Sequence, residues 1–472
     1  MQLHESLEMD IRPTSAAHGF GPLLIGMAMN IVDVPMMAIA MPGIGGDLDL
    51  GTGPLTLIAG AYPLMVAMLL PAGRAGDRFG RRRVFLAGGA LFLTGALLSA
   101  LAPGPLPLAG ARMLQGGGAA AVAPQALAMI PQLFPPVAQS GAFARLAMTG
   151  SFASVCGPLL AGALLAAAPD WLGWRAIFLA EAALALTVIL MARGQPSPEE
   201  PSMGGGSRPI ETASFAALIL CLVAPLSFGP AFGWPAPVFL MWAAAVPCAA
   251  LFVRLTLQVG PAALIPPALL REPGFRWSLV FLLLAVSAPP GLFMVLSLAL
   301  QSEPRLSPLQ TGLVTAGFPA GVVAGSWTAG RLALPPLARV ALGISLLCGS
   351  FLLIHAILPG TTLARLWPLR VGMLTAGAAM GMTVTSVMQL GMSSLPTSLA
   401  GAGAGAIQTM QQAAMAASIA LSFAVYGQAL GTRPALEAAA TMMWLQISTT
   451  GIAALLALAL LRYDVHHRKA EA

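Results

Sequence analysis

The chain is 472 residues long, 57% hydrophobic and only 8% charged, against about 25% charged for a soluble domain. That composition excludes a soluble globular protein over most of the length. The net charge of +6 does not point to nucleic acid, because the cations sit in short loops between apolar runs.

The first residues, MQLHESLEMDIRPTSAAHGF, are polar and mixed in charge and lack the basic and apolar regions of a signal peptide. Residues 1–17 are expected to form a cytoplasmic tail. Fourteen apolar runs follow, at 18–42, 53–72, 84–102, 107–130, 143–166, 176–193, 212–230, 237–257, 276–300, 309–329, 338–358, 366–390, 400–428 and 440–462. Each approaches the roughly 20 residues that a helix needs to cross a bilayer. Open backbone groups are excluded from hydrocarbon, so the runs must be helices. Those at 143–166, 309–329 and 400–428 are rich in Gly and Ala and are weaker by hydropathy alone.

Between the second and third runs, Gly73 to Arg83 reads GRAGDRFGRRR, five arginines and one aspartate in a short polar loop. Such a loop fixes topology, because cytoplasmic loops carry excess Lys and Arg. With both termini in the cytoplasm, seventeen of the 23 Lys and Arg residues fall inside and five outside (Arg175, Arg305, Arg365, Arg370, Arg433), with Arg112 left within the fourth run. A frame error of one span would scramble that separation.

The stretch 194–211 is rich in Pro, Gly and Ser and reads as a flexible cytoplasmic linker. Six runs precede it and eight follow. A weak echo of the basic loop stands at Gly330-Arg331 and Arg339. The expected organisation is a first six-helix bundle at 18–193, the linker, two inserted spans at 212–257, a loop at 258–275, a second six-helix bundle at 276–462 and a tail at 463–472. Repeated halves with a site between them near the midplane are a common transporter design. The four cysteines, Cys156, Cys221, Cys248 and Cys348, lie within apolar runs without metal-ligand spacing, and no metal is expected.

These features together resemble the major facilitator superfamily, and within it the fourteen-span drug:proton antiporters. The basic loop is similar to the superfamily signature at Gly73, Gly76, Asp77, Arg78, Gly80, Arg81 and Arg82. ARMLQG in the fourth run resembles the buried Arg-x-x-Gln-Gly motif at Arg112, Gln115 and Gly116. CGPLLAGA in the fifth resembles the antiporter motif at Gly157, Pro158 and Gly162, with Ala161 in place of the usual glycine. DVPMMAIAMP in the first matches a fourteen-span motif at Asp33, Ala40 and Pro42, with Pro35 and Ala38 replacing the usual Thr and Asn. Trp174-Arg175 with Ile177-Phe178 matches the start of the sixth span. Leu300-Gln301, Ser307-Pro308-Leu309-Gln310 and Gly312 match the joint between the ninth and tenth.

The resemblance implies that Asp77 pairs with an arginine of its loop and latches the two halves on the cytoplasmic side, near the positive end of a helix in the other half. It also implies that Arg112 faces Asp33. A charge placed well inside a span is a functional-site candidate, and a carboxyl whose proton affinity changes with conformation can couple transport to a proton gradient. The alternative is a static buried pair. Glu181 is either a second proton carrier or, the favoured reading, an interfacial side chain snorkelling to the outer headgroups. Asn30, Gln115, Gln125, Gln301, Gln408 and Gln411 are the candidate polar groups of a substrate cavity. Ala153, Gly157 and Ala161 recur every four residues, a spacing that lets helices approach closely. His355 is read as a buried or interfacial histidine.

The expected function is a proton-coupled antiporter exporting amphipathic small molecules (drugs, dyes or a secondary metabolite) across the cytoplasmic membrane. It would work as a monomer, without a cofactor, by alternating access. The alternatives are a uniporter or proton symporter for one metabolite and, remotely, a membrane-embedded enzyme or receptor. No HExxH, nucleophile elbow or sizeable soluble domain supports the last.

Overall fold

The computed structural model describes residues 13–194, 209–286, 288–396 and 399–471. The expected tail up to residue 12, with Arg12, and the linker over 195–208, with Arg208, lie outside the described residues. Seventeen α-helices are found among them. They are α1 (Pro13–Asp47), α2 (Thr52–Val66), α3 (Leu69–Phe79), α4 (Arg81–Ala100), α5 (Pro105–Leu133), α6 (Pro136–Ala167) and α7 (Arg175–Arg193). The inserted pair is α8 (Pro209–Phe232) and α9 (Ala236–Val259). Then come α10 (Pro273–Phe281), α11 (Ala288–Ser302), α12 (Pro308–Thr315), α13 (Gly317–Arg331), α14 (Pro336–Ile357), α15 (Trp367–Ser393), α16 (Ala400–Leu430) and α17 (Ala435–Glu471). A π-helical turn, Leu282–Val286, joins α10 towards α11.

Eleven helical stretches among the described residues are long and apolar enough to cross a membrane, or twelve if α2 and α3, bent by 41°, form one span. The α5 helix and the α12–α13 pair stand at the fourth and tenth expected spans but are not among the twelve. In α5 the reason is visible: Arg112, Gln115, Gln125 and its glycines lower the hydropathy of the helix that carries the site. Two boundaries differ from expectation. The α1 helix begins inside the expected tail, and α17 runs on through the stretch after residue 462.

The helices α1 to α7 pack into one bundle and α10 to α17 into another, and α8 packs on both α2 and α16 at the seam. Small residues set the closest approaches. A Cβ on Gly95 of α4 would lie 2.5 Å from the Gln115 backbone nitrogen, and one on Gly88 2.7 Å from Ala121 Cβ. In the second bundle, Gly321 and Gly325 of α13 lie against the backbone carbonyls of Leu374 and Ala378 in α15. Association in lipid rests on such van der Waals contact, since burial from water no longer drives it.

The Gly73–Arg83 segment is not a loop: it is helical through Phe79, breaks at Gly80 and resumes as α4. Gly80 has φ +94°, a conformation that glycine adopts without a Cβ penalty. Gly76 is buried against the Gln125 side chain, whose Nε2 donates to the Ala72 carbonyl at 3.0 Å. Gly73 has ordinary room, its nearest neighbour being Pro124 Cβ at 3.6 Å. The arginines staple this end of the bundle. Arg81 donates to the Ala128 carbonyl and pairs with Asp77 at 3.3 Å. Arg82 donates to the Ala192 and Arg193 carbonyls at 3.1 and 3.0 Å, which closes the open C-terminal end of α7. The echo in the second half works alike: Arg339 at the start of α14 donates to the Ala329 carbonyl at 2.7 Å and to Gln389 Oε1 at 2.5 Å.

The three glycines are therefore unequal. Gly73→Ala is expected to leave thermal stability in detergent within about 0.5 kcal/mol of wild type. Gly76→Ala and Gly80→Ala are each expected to cost about 1–3 kcal/mol, through overpacking and backbone strain respectively. Equal melting temperatures for all three variants would contradict this assignment.

Candidate functional site

Four polar side chains meet inside the first bundle, each at most 1% exposed: Asp33, Arg112, Gln115 and Glu181. Asp33 comes from α1, Glu181 from α7, and Arg112 and Gln115 from one face of α5, three residues apart. The Arg112 guanidinium grips Asp33 with both terminal nitrogens, Nη1 to Oδ1 at 2.5 Å and Nη2 to Oδ2 at 2.7 Å. Nη1 also donates to Gln115 Oε1 at 2.8 Å. The Gln115 amide passes the chain on, its Nε2 donating to Glu181 Oε2 at 2.6 Å. The guanidinium lies 4.6 Å from the Tyr62 ring centre and 5.7 Å from that of Phe178, so aromatic faces replace water around the cation.

Glu181 therefore does not snorkel to the headgroups. It points inward, because an amide donor is there to meet it and a buried carboxyl without a partner is costly. The site holds one guanidinium and two carboxyl groups, and its charges balance when the two carboxyls share a single proton.

Beside this cluster, between the bundles, lies a cavity of about 410 Å³, within the usual range for small-molecule sites. Its lining is mainly apolar, and no charged side chain of the described residues belongs to it. Asn30 and Tyr62 supply polar groups from the first bundle, and Gln408, Gln411 and Gln412 from α16 in the second. Tyr62 both lines the cavity and covers Arg112, so it is the wall between the two compartments. Its hydroxyl donates to the Asn30 carbonyl at 3.2 Å. Asn30 Nδ2 reaches the Ala119 carbonyl at 3.3 Å, while Asn30 Oδ1 is buried without a partner.

Of the six expected cavity residues, Asn30, Gln408 and Gln411 line it. The other three do not. Gln115 belongs to the ion cluster and Gln125 is pinned to α3. Gln301 ties α11 to α1 by donating to the Ile39 carbonyl at 3.2 Å and to Ser297 Oγ at 3.0 Å.

Of the fifth-span motif, Pro158 and Gly162 lie at the seam between bundles, while Gly157 packs on α1 within the first. A Cβ on Gly157 would lie 2.9 Å from Pro35 Cβ in α1, and one on Gly162 2.7 Å from Leu309 Cα in α12. Gly312 of α12 in turn rests on the Pro158 carbonyl. The Ser307-Pro308-Leu309-Gln310 motif is the start of α12. Ser307 Oγ accepts from the Gln310 amide at 3.2 Å, and Gln310 Oε1 accepts from the Ser307 amide at 2.9 Å, a reciprocal cap. Trp174 and Arg175 converge on Asp47 at the end of α1, through Nε1 at 3.0 Å and Nη1 at 2.7 Å. His355 is half-buried, with Nδ1 2.8 Å from the Ala440 carbonyl.

Sequence reasoning missed Tyr62 and Asp47. Tyr62 is one of only three tyrosines in the chain and stands alone in an otherwise aliphatic run, which was a usable signal. Asp47 gave none beyond its place at the end of a span.

The family model of the Major Facilitator Superfamily matches residues 23–419. A probable actinorhodin transporter of Streptomyces coelicolor is 28% identical, over 88% of this chain and 73% of that protein. The tetracenomycin C resistance and export protein of Streptomyces glaucescens is 29% identical, over 87% and 75%. The multidrug resistance protein Stp of Mycobacterium tuberculosis is 27% identical, over 86% and 74%. Among solved structures, a peptide transporter with bound sulfate superposes with a TM-score of 0.66 at 17% identity, over 96% of this chain and 98% of that one. The xylose transporter XylE of E. coli, partially occluded and inward open, gives 0.60 at 14%, over 93% and 98%. These two likenesses concern the fold alone. Matched over most of its length, the chain belongs to the Major Facilitator Superfamily and is a multi-pass membrane transporter.

Proposed function

We propose that this protein is a proton-coupled antiporter that exports amphipathic, largely apolar small molecules across the cytoplasmic membrane, with both termini on the cytoplasmic side. The observation that carries the reading is the pairing of a sealed Asp33–Arg112–Gln115–Glu181 cluster with an uncharged cavity, divided by Tyr62. Export is favoured by relatives whose names describe antibiotic export and multidrug resistance.

The mechanism follows from charge balance. A second carboxyl beside a single guanidinium in an apolar pocket makes a proton part of the site. Displacing Tyr62 would open the cluster to the cavity and let that proton exchange. The compound needs no charge to be held: apolar walls and the α16 amides suffice. The α6–α12 contact closes the seam on the face opposite the basic segment. On the cytoplasmic face Asp77 pairs with Arg81 and α3 packs on α16, the contacts that would latch that side and loosen when it opens. The two six-helix halves would move as units about this seam.

The test uses everted membrane vesicles, acid inside, challenged with lipophilic cationic and neutral compounds. Wild type is expected to release protons when a compound is added, and Asp33→Asn to abolish that release. Glu181→Gln is expected to keep binding while impairing proton release. Compound uptake without proton movement in wild type would favour a uniporter and sink the antiport reading. Gln411→Ala is expected to raise the compound concentration needed about fivefold, the loss of one hydrogen bond, without altering the resting proton leak.

Arg112→Met is expected to destabilise the purified protein by about 3–5 kcal/mol, because it leaves buried carboxyls uncompensated. The double variant Arg112→Met/Asp33→Leu should recover much of that loss. No recovery in a thermal melt would show that the pair is not the source of the cost.

A further inference from the structure

The polar groups of the central cavity are unevenly committed. On the first-bundle wall, the Tyr62 hydroxyl is spent on the Asn30 carbonyl and Asn30 Nδ2 on the Ala119 carbonyl, while Asn30 Oδ1 is buried. Ser154 of α6 brings one hydroxyl to the lining. The Thr315 hydroxyl is spent within α12, on the Thr311 carbonyl at 3.0 Å. Gln408, Gln411 and Gln412 of α16 differ. All three line the cavity and are half-buried, and among the described residues no hydrogen bond reaches any of their side chains.

Their spacing makes them a unit. Positions i, i+3 and i+4 fall on one helix face with Cβ atoms about 5–6 Å apart. Each primary amide offers two N–H donors and one carbonyl acceptor. Water can satisfy such a row while the cavity is wet. A compound that displaces the water loses affinity unless it replaces those bonds, so the row selects for hydroxyl or carbonyl groups at matching intervals along one edge of the ligand.

The rest of the lining sets the charge and shape. No carboxylate of the described residues belongs to it. Asp33 is held by Arg112 and Glu181 by Gln115, with Tyr62 between Arg112 and the cavity. A cation entering this space would leave water without a counter-charge, a costly transfer, and an anion would find the guanidinium covered. Tyr62, Phe293 and Phe318 bring rings to the lining, and the last two meet edge to face at 5.0 Å. Aromatic walls suit a flat, apolar body.

We infer that the central cavity selects uncharged ring compounds carrying hydroxyl or carbonyl groups along one edge, which the Gln408–Gln411–Gln412 row binds, and that it discriminates against cations. The inference rests on the reading of this cavity as the compound site and narrows the class of compound it takes.

Calorimetric titration of the full chain, purified in detergent at neutral pH or slightly below, tests it with three probes: a meta-dihydroxyflavone, flavone itself and the ethidium cation. Wild type is expected to bind the dihydroxyflavone about tenfold more tightly than flavone, the effect of two added hydrogen bonds, and ethidium more weakly than the dihydroxyflavone. Gln408→Leu/Gln412→Leu should bring the two flavones to within about twofold of each other while flavone affinity stays unchanged, which also shows that the variant is folded. Gln411→Glu, which keeps the side-chain shape, should raise ethidium affinity about tenfold through a charge-assisted contact, and it serves if the leucine variant does not fold. Ethidium bound by wild type as tightly as the dihydroxyflavone would overturn the inference. So would flavones bound equally or not at all by wild type, a preference that survives in the leucine variant, or a glutamate variant that gains nothing for the cation. The readout is binding without a gradient. Failure of antiport would leave these ratios standing, and equal flavone binding beside intact proton release would sink this inference alone.

Discussion

The burial of the Arg112 guanidinium is the constraint on which the first bundle depends. A fully desolvated cation is tolerated only when its charge is balanced and most of its donors are met; here the terminal nitrogens are bonded and Nε is left without a partner. Asp33 meets it from α1, Gln115 from its own helix, and two aromatic faces cover it. Because Asp33 and Glu181 stand on α1 and α7, the cation fixes how three helices lie relative to one another. The glycines of α4 and α5 then let the helix carrying this costly group pack tightly on the side away from the cavity.

Glu181 turns a structural pair into a site with chemical possibilities. A lone Arg–Asp pair is neutral and has no reason to exchange a proton. A second carboxyl joined through Gln115 gives a cluster whose neutrality requires one. The proposed antiport rests on that surplus carboxyl as much as on Asp33.

Much of this was legible in the sequence. The helical class, the membrane-spanning character and the Arg112–Asp33 pairing were all within reach of hydropathy, charge placement and motif resemblance. The direction in which Glu181 points was not, because a carboxyl near a span end can reach headgroups or an internal donor, and only the fold brings Gln115 to it. Helical periodicity could not sort the glutamines either. In lipid both faces of a helix are apolar, so nothing in the order of residues separates Gln408, which faces the cavity, from Gln125, which fastens α3. The basic segment misled in another way: its charges suggested a loop, yet most of it is helix, since arginine is a good helix former and only Gly80 breaks the run.

The two bundles divide the chemistry unequally. Buried charge is concentrated in the first, around Arg112. The second contributes neutral amides to the cavity and keeps its own buried arginine, Arg339, occupied by the Ala329 carbonyl and Gln389. Arg81 and Arg339 do the same work at the starts of α4 and α14, each donating to a backbone carbonyl of its own bundle. No counterpart of the Arg112 cluster stands among the described salt bridges of the second half. In the proposed cycle, then, protonation and compound binding would communicate through Tyr62 inside the first bundle and across the seam to the second. The elements placed to carry that signal are α1, which bears Asp33 on one face and cavity residues beside it, and α6, whose Gly157 rests on α1 while Pro158 and Gly162 rest on α12. In that proposed cycle, a shift of α1 that follows a change of charge at Asp33 would be delivered to the contact that closes the two bundles.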